Sequence, residues 1–222
     1  MSNANEPETY AGKSLYDAVF ASKYNRQYTE GLSLSNFRAK FVAVWEERAF
    51  RALLAEVPGG QQVLDIACGT GRYLQIHVES GNHPTGMDIS PHMLEHARKN
   101  VGPDVPLLLG DAEKLPFEDH SFDGVTCMRL YQRVPSAIRV RMLREVRRVS
   151  RGWAIVYFGG TTPWLNVRRN LRSSVFGLKH NGQYRATLPQ ILMELREAGV
   201  YVVDFQWVMS LMTDGILFHV QW

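Results

Sequence analysis

Val63-Leu64-Asp65-Ile66-Ala67-Cys68-Gly69-Thr70-Gly71-Arg72 is the stretch on which the reading of this chain turns. Residues 62–67 read as a strand with buried character on both faces, which runs into a Gly-x-Gly turn and then a helix starting near Arg72. Two glycines two apart let the backbone pass close to a ligand and adopt angles that a Cβ forbids. In an open α/β sheet, the carboxyl end of the first strand is where nucleotide-like ligands sit. A dinucleotide site would want a third glycine three residues after Gly71, and position 74 is Leu. Asp65 would repel a phosphate at the turn, and no Lys-Ser/Thr follows to make a P-loop.

Downstream, short apolar strands alternate with helices. Strands are expected at His83–Asp88, Val105–Leu109, Phe122–Met128 and Trp153–Phe158. Helices are expected from Pro91 to about Val101, with Ser90 as N-cap, and from Ser136 to Val149. Helical crossovers between strands imply a parallel sheet covered on both faces. Residues 161–187 break the rhythm and read as a lid or substrate insertion. A helix from Pro189 to Ala198 follows, then strands Tyr201–Val208 and Ile216–Gln221, which a tight turn at Asp214-Gly215 makes antiparallel. Upstream, residues 1–12 read as a loose polar arm and 15–57 as a helical segment in two or three pieces, stopped by Pro58-Gly59-Gly60. One domain is therefore expected, divided into a helical cover (1–58), a core (59–160), a lid (161–187) and a closing helix with two strands (188–222).

Two further strand ends carry chemistry. Thr85-Gly86-Met87-Asp88-Ile89-Ser90 places a carboxylate where it can accept both hydroxyls of a ribose, and disfavours a 2′-phosphate. Leu109-Gly110-Asp111-Ala112 can offer Asp111 to an exocyclic amine and the Ala112 amide to a ring nitrogen. Each signal alone is weak; their order and spacing together are specific.

The segments VLDIACGTGRY, TGMDIS and GDAEKLPFEDHSFDGV resemble the class I S-adenosylmethionine-dependent methyltransferases, nearest to the type 11 group that includes the ubiquinone/menaquinone-biosynthesis enzymes. The resemblance covers roughly residues 60–158. It implies a Rossmann-like, doubly wound seven-stranded α/β sheet with an antiparallel last strand, S-adenosyl-L-methionine as cofactor and S-adenosyl-L-homocysteine as product. It also implies that Gly69 and Gly71 pack against the cofactor, Asp88 holds the ribose, Asp111 and Ala112 hold the adenine, and Asp65 organises the turn and the cofactor's amino group. Ala67, Arg72, Ile89 and Met128 complete the implied cofactor set. The chain departs from the family twice. Ala67 replaces a common glycine, acceptable if its φ stays negative. Tyr131-Gln132-Arg133-Val134 replaces the usual Leu-His-His-Val, which puts Arg129, Tyr131 and Arg133 near the reaction space.

Methyl transfer needs alignment and exclusion of water more than it needs an acid or a base. Catalytic candidates are accordingly few: Tyr24, whose ring face suits a sulfonium, and His180 in the lid. Arg168 and Arg172 of the lid are candidates to grip a carboxylate or phosphate on the acceptor. The arginines between Arg139 and Arg151 read as a solvated helix face beside the apolar stripe Ile138, Met142, Val146 and Val149. No metal ligand cluster is evident, so no metal is expected.

Composition sets outer limits. With 222 residues, 45% hydrophobic and 21% charged, the chain can bury a full core. A net charge of +3 argues against nucleic acid as partner. No basic-then-apolar leader and no apolar run of about 20 residues is seen, and Cys68 and Cys127 read as reduced buried thiols, so a cytoplasmic protein is expected, monomer or homodimer. A small-molecule acceptor is the expected substrate. The alternatives are methylation of tRNA or protein, and a non-catalytic S-adenosylmethionine-binding protein; an NAD-dependent oxidoreductase is disfavoured by Leu74 and Asp65.

Overall fold

A computed structural model describes residues 34–161, 167, 184–208 and 215–222, with side chains from residue 40 onward. The chain opens with helix α1 (Leu34–Leu54) and continues through β1 (Gln62–Ile66), α2 (Arg72–Glu79), β2 (His83–Asp88), α3 (Pro91–Val101), β3 (Leu107–Leu109) and β4 (Phe122–Cys127). A short 3-10 turn (Tyr131–Arg133) leads to α4 (Ser136–Val149), β5 (Ser150–Gly159), α5 (Leu188–Glu197), β6 (Tyr201–Val208) and β7 (Gly215–Gln221). The strands and helices expected from residue 62 onward are present, and Leu34–Leu54 matches the later part of the expected helical segment 15–57, whose earlier part lies outside the described residues. β3 is shorter than expected and β5 longer, because β3 lies at a sheet edge while β5 is paired along both sides.

The seven strands form one sheet in the order β3-β2-β1-β4-β5-β7-β6. β7 is antiparallel to both neighbours, and the other strands run together. Strand order reverses between β1 and β4, the place where an open α/β sheet parts at its carboxyl edge and admits a ligand.

Side-chain alternation along each strand feeds two separate cores. Leu64 and Ile66 of β1 and Val125 and Cys127 of β4 join Ala154, Val156 and Phe158 of β5 under α4 and α5. Val63, Trp153, Ile155 and Tyr157 point the other way, under Phe50, Leu53 and Leu54 of α1 and Tyr73 and Ile76 of α2. Gly124 is required on that face: a Cβ there would lie 2.0 Å from the Trp153 ring. α3 starts as the sequence foretells, with Pro91 in its first turn and the Ser90 hydroxyl accepting the Met93 amide at 3.3 Å. The apolar stripe of α4 is buried as expected.

The basic run of α4 is a correction. Arg139 is not solvated. It is buried between α4 and α5, where Nη2 and Nε donate to the two oxygens of Glu194 at 2.6 and 2.7 Å. Its Nη1 donates to the Val134 and Tyr184 carbonyls at 2.9 and 3.2 Å. Arg148 also works inward, donating to the Leu115 and Phe117 carbonyls at 3.0 and 2.7 Å and so fixing the loop after β3. Trp207 and Trp222, near the sheet edge, are partly buried against the larger core. Among the described residues no helix is long and apolar enough to cross a membrane.

Candidate functional site

Three strand ends converge at the carboxyl edge beside the switch point. The first is the turn after β1. Ala67, Gly69 and Gly71 all take positive φ, at 55°, 57° and 84°. The expectation that Ala67 keeps a negative φ is therefore wrong. The turn imposes the left-handed conformation three times in five residues, and the Ala67 methyl bears the strain that a glycine would avoid. A Cβ on Gly71 would meet Val101 Cγ1 at 2.8 Å and Ala97 at 3.3 Å, so this glycine lets α3 close against the turn. Among the described residues a Cβ on Gly69 would find only the Ala67 carbonyl, at 4.0 Å, so none of them fills that face of the turn.

The second end is Asp88, closing β2. Its Oδ2 accepts the Gly69 amide and its Oδ1 the Ser90 amide, both at 2.9 Å. The carboxylate thus braces the glycine turn while each oxygen keeps a lone pair for a hydroxyl. Burial pushes its pKa above the ordinary carboxylate value, and the Ser90, Gly69 and Ile89 amides pull against that rise. The third end follows β3, where Asp111 Oδ1 accepts the Glu113 amide at 3.0 Å and Ala112 packs half-buried on the core. Ile89 is half-buried beside Asp88, and Met128 lies under α1 in the smaller core.

Asp65 lies deeper. It is wholly buried on the α2 face of β1, in register with Gly86 of β2 and Thr126 of β4. Thr126 Oγ1 donates to its Oδ1 at 2.8 Å, while Oδ2 has no partner among the described residues. Burial, with a further push from the Asp88 charge, raises its pKa to about 7 against the Thr126 hydrogen bond. Behind Thr126, His77 Nε2 lies 3.2 Å from the same hydroxyl oxygen, and burial holds the His77 pKa down to about 4.

Other sequence candidates are placed differently. Arg72, expected to touch the cofactor, turns its guanidinium to α1, donating to the Ala43 carbonyl and to Glu47 at 3.1 Å. Tyr131, expected near the reaction space, is a core residue: it is fully buried and stacked on Phe158 with ring centroids 4.9 Å apart. Its ring occupies the position of the family's leucine, and packing has claimed it. Arg129 does reach the open end, at φ 63°, with Nε 3.2 Å from the fully buried Glu46 of α1. Arg133 is half-buried on the 3-10 turn. Tyr24, Arg168, Arg172 and His180 lie outside the described residues.

Three polar side chains near the site escaped the sequence reading. Glu46 hides in an ordinary helix and approaches Tyr157, whose phenol pKa is raised by burial and by that carboxylate. Gln132 is nearly buried over Gly159, where a Cβ would lie 2.8 Å from its own Cβ. Thr126 is signalled in the sequence only as a polar residue inside the apolar strand 122–127.

A glycine turn braced by the carboxylate of the next strand, at the switch point of a 3-2-1-4-5-7-6 sheet, is the arrangement in which an open α/β sheet takes a nucleotide-like ligand. Residues 63–152 match the family described as a methyltransferase domain. A demethylmenaquinone methyltransferase of Staphylococcus aureus (strain MRSA252) is 34% identical over 139 residues, 60% of this chain and 56% of that protein, so the match spans about half the relative's length. Among solved structures, magnesium protoporphyrin IX methyltransferase from Synechocystis PCC 6803 with bound SAH shares the fold over 95% of this chain and 97% of its own, with TM-score 0.79 at 16% identity. A protein from Pyrococcus horikoshii OT3 does so over 90% and 98%, with TM-score 0.67 at 22% identity.

Proposed function

We propose that this chain transfers the methyl group of S-adenosyl-L-methionine to a small-molecule acceptor bearing a carboxylate, phosphate or comparable oxygen group. The observation that carries this reading is the corner itself. It offers an open glycine face at Gly69, a braced carboxylate at Asp88 and an orphaned buried oxygen on Asp65. An unpartnered buried anion is costly, and a ligand that brings an N–H donor or a positive charge relieves it. The methionine end of the donor has such a group, and its ribose hydroxyls suit the lone pairs of Asp88. Asp111 and the Ala112 amide stand where adenine would be read, with Ile89 alongside.

When bound, the donor supplies an activated methyl on a sulfonium; the acceptor's lone pair forms the new bond as the sulfur takes back the C–S pair. The chain's task is then to align the acceptor and keep water out. We assign that task to Arg129, Gln132 and Arg133, after β4, with the acceptor's anionic group going to the arginines. The lid arginines Arg168 and Arg172 and the candidates Tyr24 and His180 belong to the same proposal. The relatives named above include a demethylmenaquinone and a magnesium protoporphyrin IX methyltransferase, so quinone-like and porphyrin acceptors head the compounds to try. Two free, buried cysteines suit a reducing compartment, and we assign the protein to the cytoplasm.

The test is calorimetric titration with S-adenosylhomocysteine and NAD, then incubation with methyl-labelled S-adenosylmethionine and a metabolite extract, read by mass spectrometry. Binding of the homocysteine nucleoside but not NAD, with label entering a small molecule, is the expected result. Absence of nucleoside binding overturns the reading; label in tRNA or protein alone overturns the acceptor class.

A further inference from the structure

The buried chain behind Asp65 has a direction, and the direction has a consequence for ligand binding. Thr126 has one hydroxyl proton and donates it to Asp65 Oδ1 at 2.8 Å. The Thr126 oxygen therefore faces His77 Nε2, 3.2 Å away, as an acceptor, so His77 must carry its proton on Nε2. That assignment agrees with the remaining His77 nitrogen, Nδ1, which is buried without a partner among the described residues and so needs no acceptor there for a proton. It also agrees with a histidine held neutral by burial. The three groups come from three elements, α2, β4 and β1, and all lie on one face of the sheet. Each is buried: His77 and Thr126 are at 0% exposure and Asp65 at 1%. The chain ends on the orphaned oxygen Oδ2.

We propose that Thr126 and His77 are positioning residues for the methyl donor: the directed chain His77 Nε2–H to Thr126 Oγ–H to Asp65 Oδ1 fixes the carboxylate so that its free oxygen receives the donor's amino group, directly or through one water. This rests on the methyltransferase reading and deepens it. Thr126 touches no ligand and acts only through Asp65. Its hydrogen bond does two things. It fixes the rotamer of the carboxylate, and it favours the ionised form that an amino group requires. The other ionisable groups around this carboxylate are Asp88 of β2, Cys68 in the turn, Cys127 of β4 and His77 of α2. Asp88 opposes ionisation, and both thiols are held protonated by burial. Thr126 is the group that favours it.

The experiment titrates S-adenosylhomocysteine into the full chain by calorimetry across the pH range around neutrality, for the unaltered protein, Thr126→Val and Thr126→Ser. In the unaltered protein, affinity falls on acidification as Asp65 takes a proton. Thr126→Val, which keeps the shape and loses the donor, weakens binding about tenfold near neutral pH and moves the midpoint of the pH dependence upward. Thr126→Ser restores both. A Thr126 that serves packing alone would leave the midpoint where it is. His77→Phe, which keeps a ring and loses the donor, shows a smaller shift in the same direction and carries the test if the valine variant fails to fold. If the unaltered protein binds and neither variant moves the affinity or the midpoint, this inference is overturned while the methyltransferase reading stands. If the unaltered protein does not bind the nucleoside, both fall.

Discussion

Two buried charges in this molecule are treated in opposite ways. At the joint between α4 and α5, Arg139 and Glu194 meet in a double hydrogen bond, and the spare donors go to the Val134 and Tyr184 carbonyls, with Ser136 Oγ donating to Glu194 at 2.6 Å. At the corner of β1, Asp65 has among the described residues a single side-chain hydrogen bond and an orphaned oxygen. Both sites are out of water, so the cost of burying an ion applies to both. The joint offsets that cost within the chain; at the corner the described residues leave one oxygen without a partner, the place to which the proposed donor's amino group is assigned. On that proposal, saturation separates a charge kept for architecture from one kept for binding.

The largest effect should come from unbalancing the joint. Arg139→Ala leaves Glu194 buried and unpaired, and should cost about 3–5 kcal/mol in urea unfolding. Replacing both partners, Arg139→Met with Glu194→Leu, should recover most of that loss, because an apolar pair of similar volume has no ion to desolvate. If the double variant is as unstable as the single one, the joint is more than a neutralised ion pair and the contrast with Asp65 fails.

The corner should show itself through pH. Asp65 has its folded-state pKa raised to about 7, so its contribution to stability is full below the ordinary carboxylate range and is lost as pH rises towards 7. His77 is depressed to about 4, so its neutral burial favours folding above the ordinary histidine range and is lost as pH falls towards 4. The two slopes oppose each other across the same window, and stability of the unliganded protein between pH 4 and 7 should be nearly flat on their account. Each single variant should unmask the other: Asp65→Asn should lose stability on acidification and His77→Phe should gain it, by of order a few kcal/mol over the window. Thermal unfolding at a series of pH values checks this, and parallel curves for both variants would break the argument.

These contrasts also show what could be read before the structure and what could not. The glycine turn, Asp88 and the strand order were readable because each is a local consequence of residue type: a strand end, a turn needing positive φ, a cap. Ala67 shows where that stops, since alanine argues for negative φ and the turn's closure on α3 overrides it. Arg139 misled because helical spacing places it beside the apolar stripe, while its buried partner sits 55 residues away on α5. Glu46 and Gln132 were missed for a related reason: nothing within a few residues of either marks it as buried. Tyr131 was read as a site residue from a motif position that packing against Phe158 had already claimed.

A smaller effect is expected at Gly71. Its φ of 84° costs a residue with a Cβ about 1–2 kcal/mol, and the methyl of Gly71→Ala would also press on Val101 and Ala97 of α3. The variant should lose about that much stability and, because the turn must shift, should lose S-adenosylhomocysteine affinity by a larger factor than stability alone explains. Gly102, with φ 82° and open space where a methyl would stand, is the control: Gly102→Ala should lose stability through strain alone and leave nucleoside affinity unchanged. Equal affinity losses in the two variants would mean that the turn binds nothing.

The smallest effect should fall on the charges that join α1 to α2. Glu47 accepts from Arg51 at 3.0 Å and from Arg72 at 3.1 Å, and Arg51 continues to Glu79 at 2.5 Å. The geometry is as good as at the α4–α5 joint, but the Arg51 and Glu79 side chains are 41% and 59% exposed. Water and salt already solvate them, so the Coulomb gain is small and is spent partly on holding two long side chains still. Glu79→Gln should therefore change unfolding stability by less than about 1 kcal/mol, and that difference should shrink further in high salt. A loss as large as that of Arg139→Ala would mean that hydrogen-bond geometry, and not burial, sets the worth of these pairs. Asp65 would then lose its distinction too, because its case rests on a buried charge being costly to leave alone.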